Sequence, residues 1–126
     1  MKEIMAIIRI NKINGTKKAL AEAGIGSMHA KESLGRGRGL VDLSVLQGAE
    51  KGYEEAIAQL GSSQRLIPKR LISLVVPDKL ADLVIQTIIE ANQTGKPGDG
   101  KIFVLPVSQA IRIRTGEAGD AVLDAV

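Results

Sequence analysis

The order strand, helix, strand occurs twice in this sequence, in residues 1–34 and again in residues 70–107. Strands are predicted where short apolar runs are rich in β-branched residues, and helices where apolar residues share one face. The six predicted elements, in chain order, span residues 3–10, 16–23, 27–34, 70–76, 79–91 and 101–107. Asn14 and Gly15 indicate a turn and a cap before the first helix. This repeated unit constrains the fold more than any other feature of the chain.

The order predicts an α+β fold of the ferredoxin-like type, β-α-β-β-α-β, in which a four-stranded antiparallel sheet carries two helices on one face. The 126 residues suffice for a single domain with one core. A long loop, residues 39–67, separates the second and third strands, and residues 115–126 form a C-terminal tail. Because the helices cover only one face of the sheet, the apolar residues of the other face predict an oligomer.

One more short strand is predicted at residues 111–114, where the sequence Ile-Arg-Ile-Arg alternates. Alternate residues of a strand point to the same face, so Arg112 and Arg114 are expected side by side. Two like charges in this position repel each other unless an anion lies between them. The pair indicates either an anion-binding site or a solvent-exposed edge strand.

Composition excludes several classes of site. The chain has no cysteine, which excludes disulfides, thiolate metal sites, iron–sulfur clusters and a cysteine nucleophile. Its single histidine, His29, argues against a zinc centre. Apolar runs such as residues 71–76 are too short to span a bilayer, and the N-terminus lacks the pattern of a signal peptide. We therefore expect a cytoplasmic protein without a cysteine-based or histidine-rich centre.

Charge and aromatic content argue against a nucleic-acid partner. The net charge of +3 is only mildly basic. RNA-recognition domains share the predicted order of elements, but they stack bases on aromatic side chains. Tyr53 and Phe103 are the only aromatic residues here, so a binding module for single-stranded RNA is disfavoured.

A glycine-rich turn, residues 94–100, joins the second predicted helix to the strand that follows. Residues 95–101 read G-x-x-x-x-G-K, but Ile102 replaces the Ser or Thr of a P-loop, and a P-loop runs from strand to helix. The motif is therefore not that of a P-loop NTPase. Backbone N–H groups in such a turn, flanked by two lysines, make a concave anion site. The alternative is an ordinary helix-to-strand connection.

Two other basic segments accompany this turn. Residues 35–39 read Gly-Arg-Gly-Arg-Gly, which lets the backbone approach a phosphate and adds two guanidinium groups. Lys69 and Arg70 form the other segment. Neither segment contains an acid–base pair or a nucleophile. The pattern as a whole favours a phosphate-bearing ligand that is bound and sensed, whereas residues 35–39 taken alone favour a flexible, solvated loop.

Three stretches of the sequence resemble the PII signal-transduction proteins. They are MKEIMAIIR with ALAEAGI near the N-terminus, the Gly35-x-Gly37-Arg38 turn, and the run VVPDK…TIIEANQTGKPGDGKIFVLPV…IRIRTGE. The resemblance implies a non-enzymatic regulator, with no catalytic residues and no metal ligands of its own. It implies that the protein forms a homotrimer, or a hetero-oligomer with a sister protein. It also implies that ATP or ADP, with Mg²⁺ held through ATP, binds between neighbouring subunits.

The family motifs fall on particular residues of this chain. The resemblance implies nucleotide binding by Gly35, Gly37, Arg38, Thr94, Gly98, Asp99, Gly100, Lys101, Arg112 and Arg114, the two arginines at the end coming from the adjacent subunit. It implies binding of 2-oxoglutarate by Gly37 and Lys69. Gly39 replaces a family glutamine that helps to hold magnesium and 2-oxoglutarate.

The long loop, residues 39–67, corresponds to the T-loop with which the family docks on target proteins. It is longer than usual and has Lys51 where enteric members carry a modified tyrosine. Its length resembles the nitrogenase-associated branch of archaea and anaerobic bacteria, in which two sister proteins act on the dinitrogenase component. The resemblance therefore implies a nitrogen-metabolism target, nitrogenase in particular.

The enzyme alternative is a small ferredoxin-like phosphatase or transferase of the acylphosphatase kind. Arg9 and Asn11 lie near the first strand, where that chemistry needs an arginine loop and an asparagine. The long loop and the third basic cluster, Lys69 with Arg70, have no role in such an enzyme, so the regulator is preferred.

Overall fold

The computed structural model describes residues 1–36 and 66–123, which contain four strands and two α-helices. In chain order these are β1 (Lys2–Ile8), α1 (Ile13–Glu22), β2 (His29–Gly35), β3 (Ile67–Val76), α2 (Asp78–Asn92) and β4 (Lys101–Pro106). Two short 3₁₀ turns, Ile10–Lys12 and Asp120–Val122, complete the regular structure of these ranges. The predicted order of elements is confirmed.

The four strands form one antiparallel sheet in the order β2-β3-β1-β4. The central strands β1 and β3 pair so that Ile4 lies opposite Leu74 and Ala6 opposite Ile72. Since buried and less buried residues alternate along both strands, one face of the sheet carries the core. The ferredoxin-like fold predicted from the sequence is confirmed.

The core lies between this face and the two helices. Leu20 of α1 and Val84 and Ile88 of α2 are buried against the central strands. The helices are also joined by a polar contact, in which the Asn92 side-chain amide donates to the Thr16 hydroxyl over 2.9 Å. Residues at the centre of the sheet complete the cluster, namely Ile4, Ala6, Ile8, Ile72, Leu74 and Val76.

The opposite face of the sheet carries the remaining residues of the alternation. Met5 and Leu71 lie on the central strands there, and Phe103 and Leu105 of β4 are 46% and 37% exposed. The Ser73 hydroxyl donates to the Glu3 carboxylate over 2.6 Å. This face therefore mixes polar residues with partly exposed apolar ones, and the apolar ones are the feature from which an oligomer is predicted.

The first helix begins earlier than the sequence indicates. Asn14 and Gly15, predicted as a turn and a cap, lie inside α1, and no side-chain cap precedes it. The start is set by packing, because Thr16 and Leu20 are both fully buried and lie one turn apart. The Thr16 hydroxyl also donates to the Lys12 carbonyl over 2.7 Å, inside the helix. Tertiary burial outweighs the weak helix propensity of Asn and Gly.

The predicted strand at residues 111–114 is wrong. Within the described ranges only Ile111 pairs, with Ala118, and the chain turns between them. The Arg112 N–H donates to the Glu117 carbonyl over 2.8 Å. Gly116 has φ of 73°, a conformation that favours glycine and lets the chain reverse. The two arginines are therefore not neighbours on a strand face.

Several predictions lie on residues outside the described ranges. Gly37, Arg38, Gly39 and almost all of the predicted T-loop are among them; β3 itself begins at Ile67. No helix in residues 1–36 and 66–123 combines the length and the apolarity that a membrane span needs.

Candidate functional site

The connection between α2 and β4 is a glycine-rich loop, residues 93–100, that lies against the end of β1. Gly95, Gly98 and Gly100 have φ values of 83°, 99° and 107°, which are strained for any other residue. A Cβ atom on Gly100 would lie 1.8 Å from the Ile7 carbonyl oxygen. Glycine is therefore required at this position for the loop to pack on the backbone of β1.

The Asp99 side chain ties the two ends of the glycine-rich loop together. Its carboxylate accepts from the N–H groups of Thr94 and Gly95 over 2.9 and 3.1 Å. It also accepts from the Thr94 hydroxyl, which in turn accepts from the Lys96 N–H over 3.2 Å. Asp99, predicted from the family motif as a nucleotide residue, thus has its side chain directed into the loop itself.

Arg9, the residue that follows β1, holds the same carboxylate from outside. One guanidinium nitrogen donates to Asp99, and another donates to the Pro97 carbonyl over 2.9 Å. Arg9 was not among the residues predicted for this site. The order of elements indicates its position, because the ferredoxin-like order makes β1 and β4 neighbours and so brings the residue after β1 to the loop before β4.

Lys69 and Lys101 supply further positive charge at the loop. The Lys69 ammonium group on β3 donates to the Gly98 carbonyl over 3.2 Å. Lys101 opens β4, is exposed and lies opposite Ile7 in the sheet. Among the hydrogen bonds of residues 1–36 and 66–123, none uses the N–H groups of Gly98 and Asp99. Free N–H groups with cations beside them form a site that suits an anion.

A cavity of about 390 Å³ lies beside the loop, between α2 and β4. Asp99, Gly100 and Lys101 line its polar end. Its remaining wall is largely apolar and includes Ile85, Ile88, Ile89, Ile102 and Val104. The glycine-rich loop therefore has a polar surface next to an apolar one.

The other predicted residues of the described chain make no hydrogen bond or ion pair with the loop. Gly35 ends β2 opposite Ile67. Arg112 pairs with Glu117 of its own hairpin over 3.3 Å, and Arg114 lies exposed in the turn. The resemblance assigns both arginines to an adjacent subunit, so their role stays a prediction.

The pKa of Asp99 is held well below its ordinary value of 3.8. The Thr94 hydroxyl contributes most, followed by the Thr94 N–H and the Arg9 guanidinium. Because the folded pKa is lowered, the ionised carboxylate stabilises the fold above pH 3.8, and this contribution is lost as the pH falls through the lowered pKa. Asp99 is accordingly ionised, and its hydrogen bonds are in place, at neutral and mildly acidic pH.

Replacing Thr94 by valine is expected to raise the pKa of Asp99 towards 3.8, because it removes the hydroxyl and leaves the backbone N–H. The carboxyl carbon of Asp99, followed by NMR between pH 1 and pH 6, reports the titration directly. Thr87, whose hydroxyl bonds to its own helix over 2.7 Å, supplies the matched control Thr87→Val. An Asp99 midpoint equal in Thr94→Val and in the wild type would contradict this assignment.

Comparison with known proteins gives one consistent result. The family model for "Nitrogen regulatory protein P-II" matches residues 1–117. The chain is 49% identical over 124 residues to the nitrogen fixation nifHD region GlnB-like protein 2 of Methanobacterium ivanovii, covering 98% of this chain and all of that one. It is 43% identical over 123 residues to the protein of the same name from Methanococcus maripaludis, with the same coverage. Nitrogen regulatory protein P-II 1 of Escherichia coli (strain K12) is likewise 43% identical over 123 residues, 98% of this chain and 100% of the other. The chain belongs to the nitrogen regulatory protein P-II family.

Proposed function

We propose that this protein is a non-catalytic signal protein that binds ATP or ADP at the glycine-rich loop and regulates a nitrogen-metabolism target. The observation that carries the proposal is the loop itself. Its shape is fixed by Asp99, its N–H groups at Gly98 and Asp99 are free in the described chain, and Lys69 and Lys101 lie beside it. A polyphosphate is the ligand that such a surface suits.

The proposed regulatory ligand is 2-oxoglutarate, which would bind at Gly37 and Lys69. The position of Lys69 supports this, because its ammonium group already lies 3.2 Å from the Gly98 carbonyl. Lys69, at the edge of the loop, could then bind a carboxylate of 2-oxoglutarate next to the nucleotide phosphates. Mg²⁺ would enter with ATP, because phosphate oxygens are ligands that it takes up together with few protein groups.

The proposed target is nitrogenase, reached through the long loop. Support comes from the relatives, two of which are named for the nifHD region of nitrogen fixation. The proposed assembly is a trimer, either of this chain alone or with a sister protein. The exposed apolar side chains on the open face of the sheet, Phe103 and Leu105, support an assembly of some kind.

Calorimetric titration with ATP and with ADP tests the nucleotide site. Lys101→Ala and Arg112→Ala are each expected to weaken binding about tenfold or more, because each removes a charged hydrogen-bond donor. Lys17→Ala is the matched control, since Lys17 is exposed on α1. Wild-type protein that binds neither nucleotide at millimolar concentration, or a Lys101→Ala/Arg112→Ala protein that binds as the wild type does, would refute the proposal.

A further inference from the structure

We propose that Arg9 is a positioning residue for the glycine-rich loop, which it holds through Asp99 in the conformation that receives the nucleotide phosphates. The inference rests on the proposed function, which supplies the nucleotide as the ligand. It gives Arg9 a role in shaping the site and not in contacting the ligand.

Arg9 contacts three consecutive residues of the loop, 97–99. Its guanidinium group donates to the Asp99 carboxylate and, over 2.9 Å, to the Pro97 carbonyl. A Cβ atom on Gly98, between them, would lie 3.1 Å from the same guanidinium group. The side chains of Arg9 and Asp99 are only 24% and 25% exposed. The loop therefore packs against the guanidinium group of Arg9.

The Asp99 carboxylate, which Arg9 holds, fixes the conformation of the whole loop. Asp99 lies near the end of the loop, yet it accepts from the N–H groups of Thr94 and Gly95 at its beginning. Three glycines with positive φ give this segment many alternative conformations when it is released. Fixing one of these conformations before the ligand arrives removes an entropic penalty from binding.

The two contacts of the Arg9 side chain favour arginine over lysine at this position. They also indicate that Arg9 positions the loop and does not bind the ligand directly. A guanidinium group presents two donors in a rigid fork, whereas an ammonium group is a single point charge and does not reproduce both contacts. Both arms of the Arg9 fork are already engaged by Asp99 and Pro97. Lys101 is the cation better placed to meet a phosphate, because it is exposed and pairs with no acidic side chain in the described chain.

The test compares Arg9→Met, Arg9→Lys, Asp99→Asn and the Arg9→Met/Asp99→Asn double variant. Lys17→Met, which removes one charge from the exposed face of α1, is the control for net charge. Two quantities are measured on each protein: the Kd for ATP by calorimetry, and the hydrogen-exchange rates of the Thr94 and Gly95 amides by NMR without nucleotide. The thermal midpoint of unfolding shows whether the fold itself is affected.

In Arg9→Met we expect both amides to exchange about tenfold faster and the Kd for ATP to rise about tenfold, with little change in the thermal midpoint. Arg9→Lys is expected to lie between Arg9→Met and the wild type in both measurements. The Kd of the double variant for ATP should be no higher than that of Asp99→Asn, because the two side chains act as one unit.

Unchanged exchange at Thr94 and Gly95 in Arg9→Met would overturn the inference. If the Kd rose while exchange stayed the same, Arg9 would be a direct ligand contact, which also overturns it. Wild-type protein that binds no nucleotide would refute the proposed function instead. The exchange rates would still decide whether Arg9 holds the loop, since they are measured without ligand.

Discussion

Replacing Gly100 by alanine is expected to lower the free energy of unfolding by about 2–5 kcal/mol, the sum of a strained backbone and a steric overlap. The backbone at Gly100 has φ of 107°, and an alanine Cβ would lie 1.8 Å from the Ile7 carbonyl oxygen. A backbone atom cannot move aside as a flexible side chain does. The loop must therefore lift away from β1, which also removes Asp99 from Arg9. We expect nucleotide binding to be lost together with the stability.

Gly95→Ala is the matched control for this prediction. Gly95 lies in the same loop with φ of 83°, but nothing lies within 4 Å of the Cβ that alanine would add. Only the backbone strain remains, about 1–2 kcal/mol. Urea denaturation at one protein concentration measures the free energy of unfolding of both variants. Equal losses in Gly95→Ala and Gly100→Ala would mean that the close approach of the loop to β1 contributes nothing.

Replacing Ile72 by alanine is expected to lower the free energy of unfolding by about 2–5 kcal/mol, the usual range for isoleucine in a core. Ile72 is fully buried in β3, opposite Ala6 of β1 and Ala30 of β2. Because both neighbours in register are alanines, neither can fill the space that the missing side chain leaves. The loss should therefore lie in the upper half of the range.

Ile113→Ala is the control that makes the same chemical change on the surface. Ile113 is 99% exposed in the hairpin formed by residues 111–118, and surface substitutions usually change stability by less than about 0.5 kcal/mol. Both variants are compared by denaturation at a fixed concentration, because association shifts apparent stability. A loss in Ile113→Ala as large as that in Ile72→Ala would show that the hairpin is buried against another subunit.

The fold could be predicted because each strand and helix has its own pattern of apolar residues, which is visible in a short stretch of the sequence. Alternating apolar residues marked the strands, helical spacing marked α2, and the repeated unit predicted the antiparallel sheet that the structure has. Local patterns were less reliable where packing opposed them. Asn14 and Gly15 read as a turn, but the burial of Thr16 extends α1 across them. Residues 111–114 alternate as a strand does, but Gly116 turns the chain back before a strand can pair.

The candidate site divides in the same way. The sequence by itself determined that a glycine-rich, lysine-flanked loop lies between α2 and β4, because composition and position in the chain suffice for that prediction. Only the tertiary structure decided that Arg9 meets Asp99, 90 residues away. That contact depends on the antiparallel register in which Ile7 lies opposite Lys101. A shift of one residue in this register would turn every side chain to the other face of the sheet. Register is settled by burial of the whole apolar face, a property of the folded chain that no short segment of sequence contains.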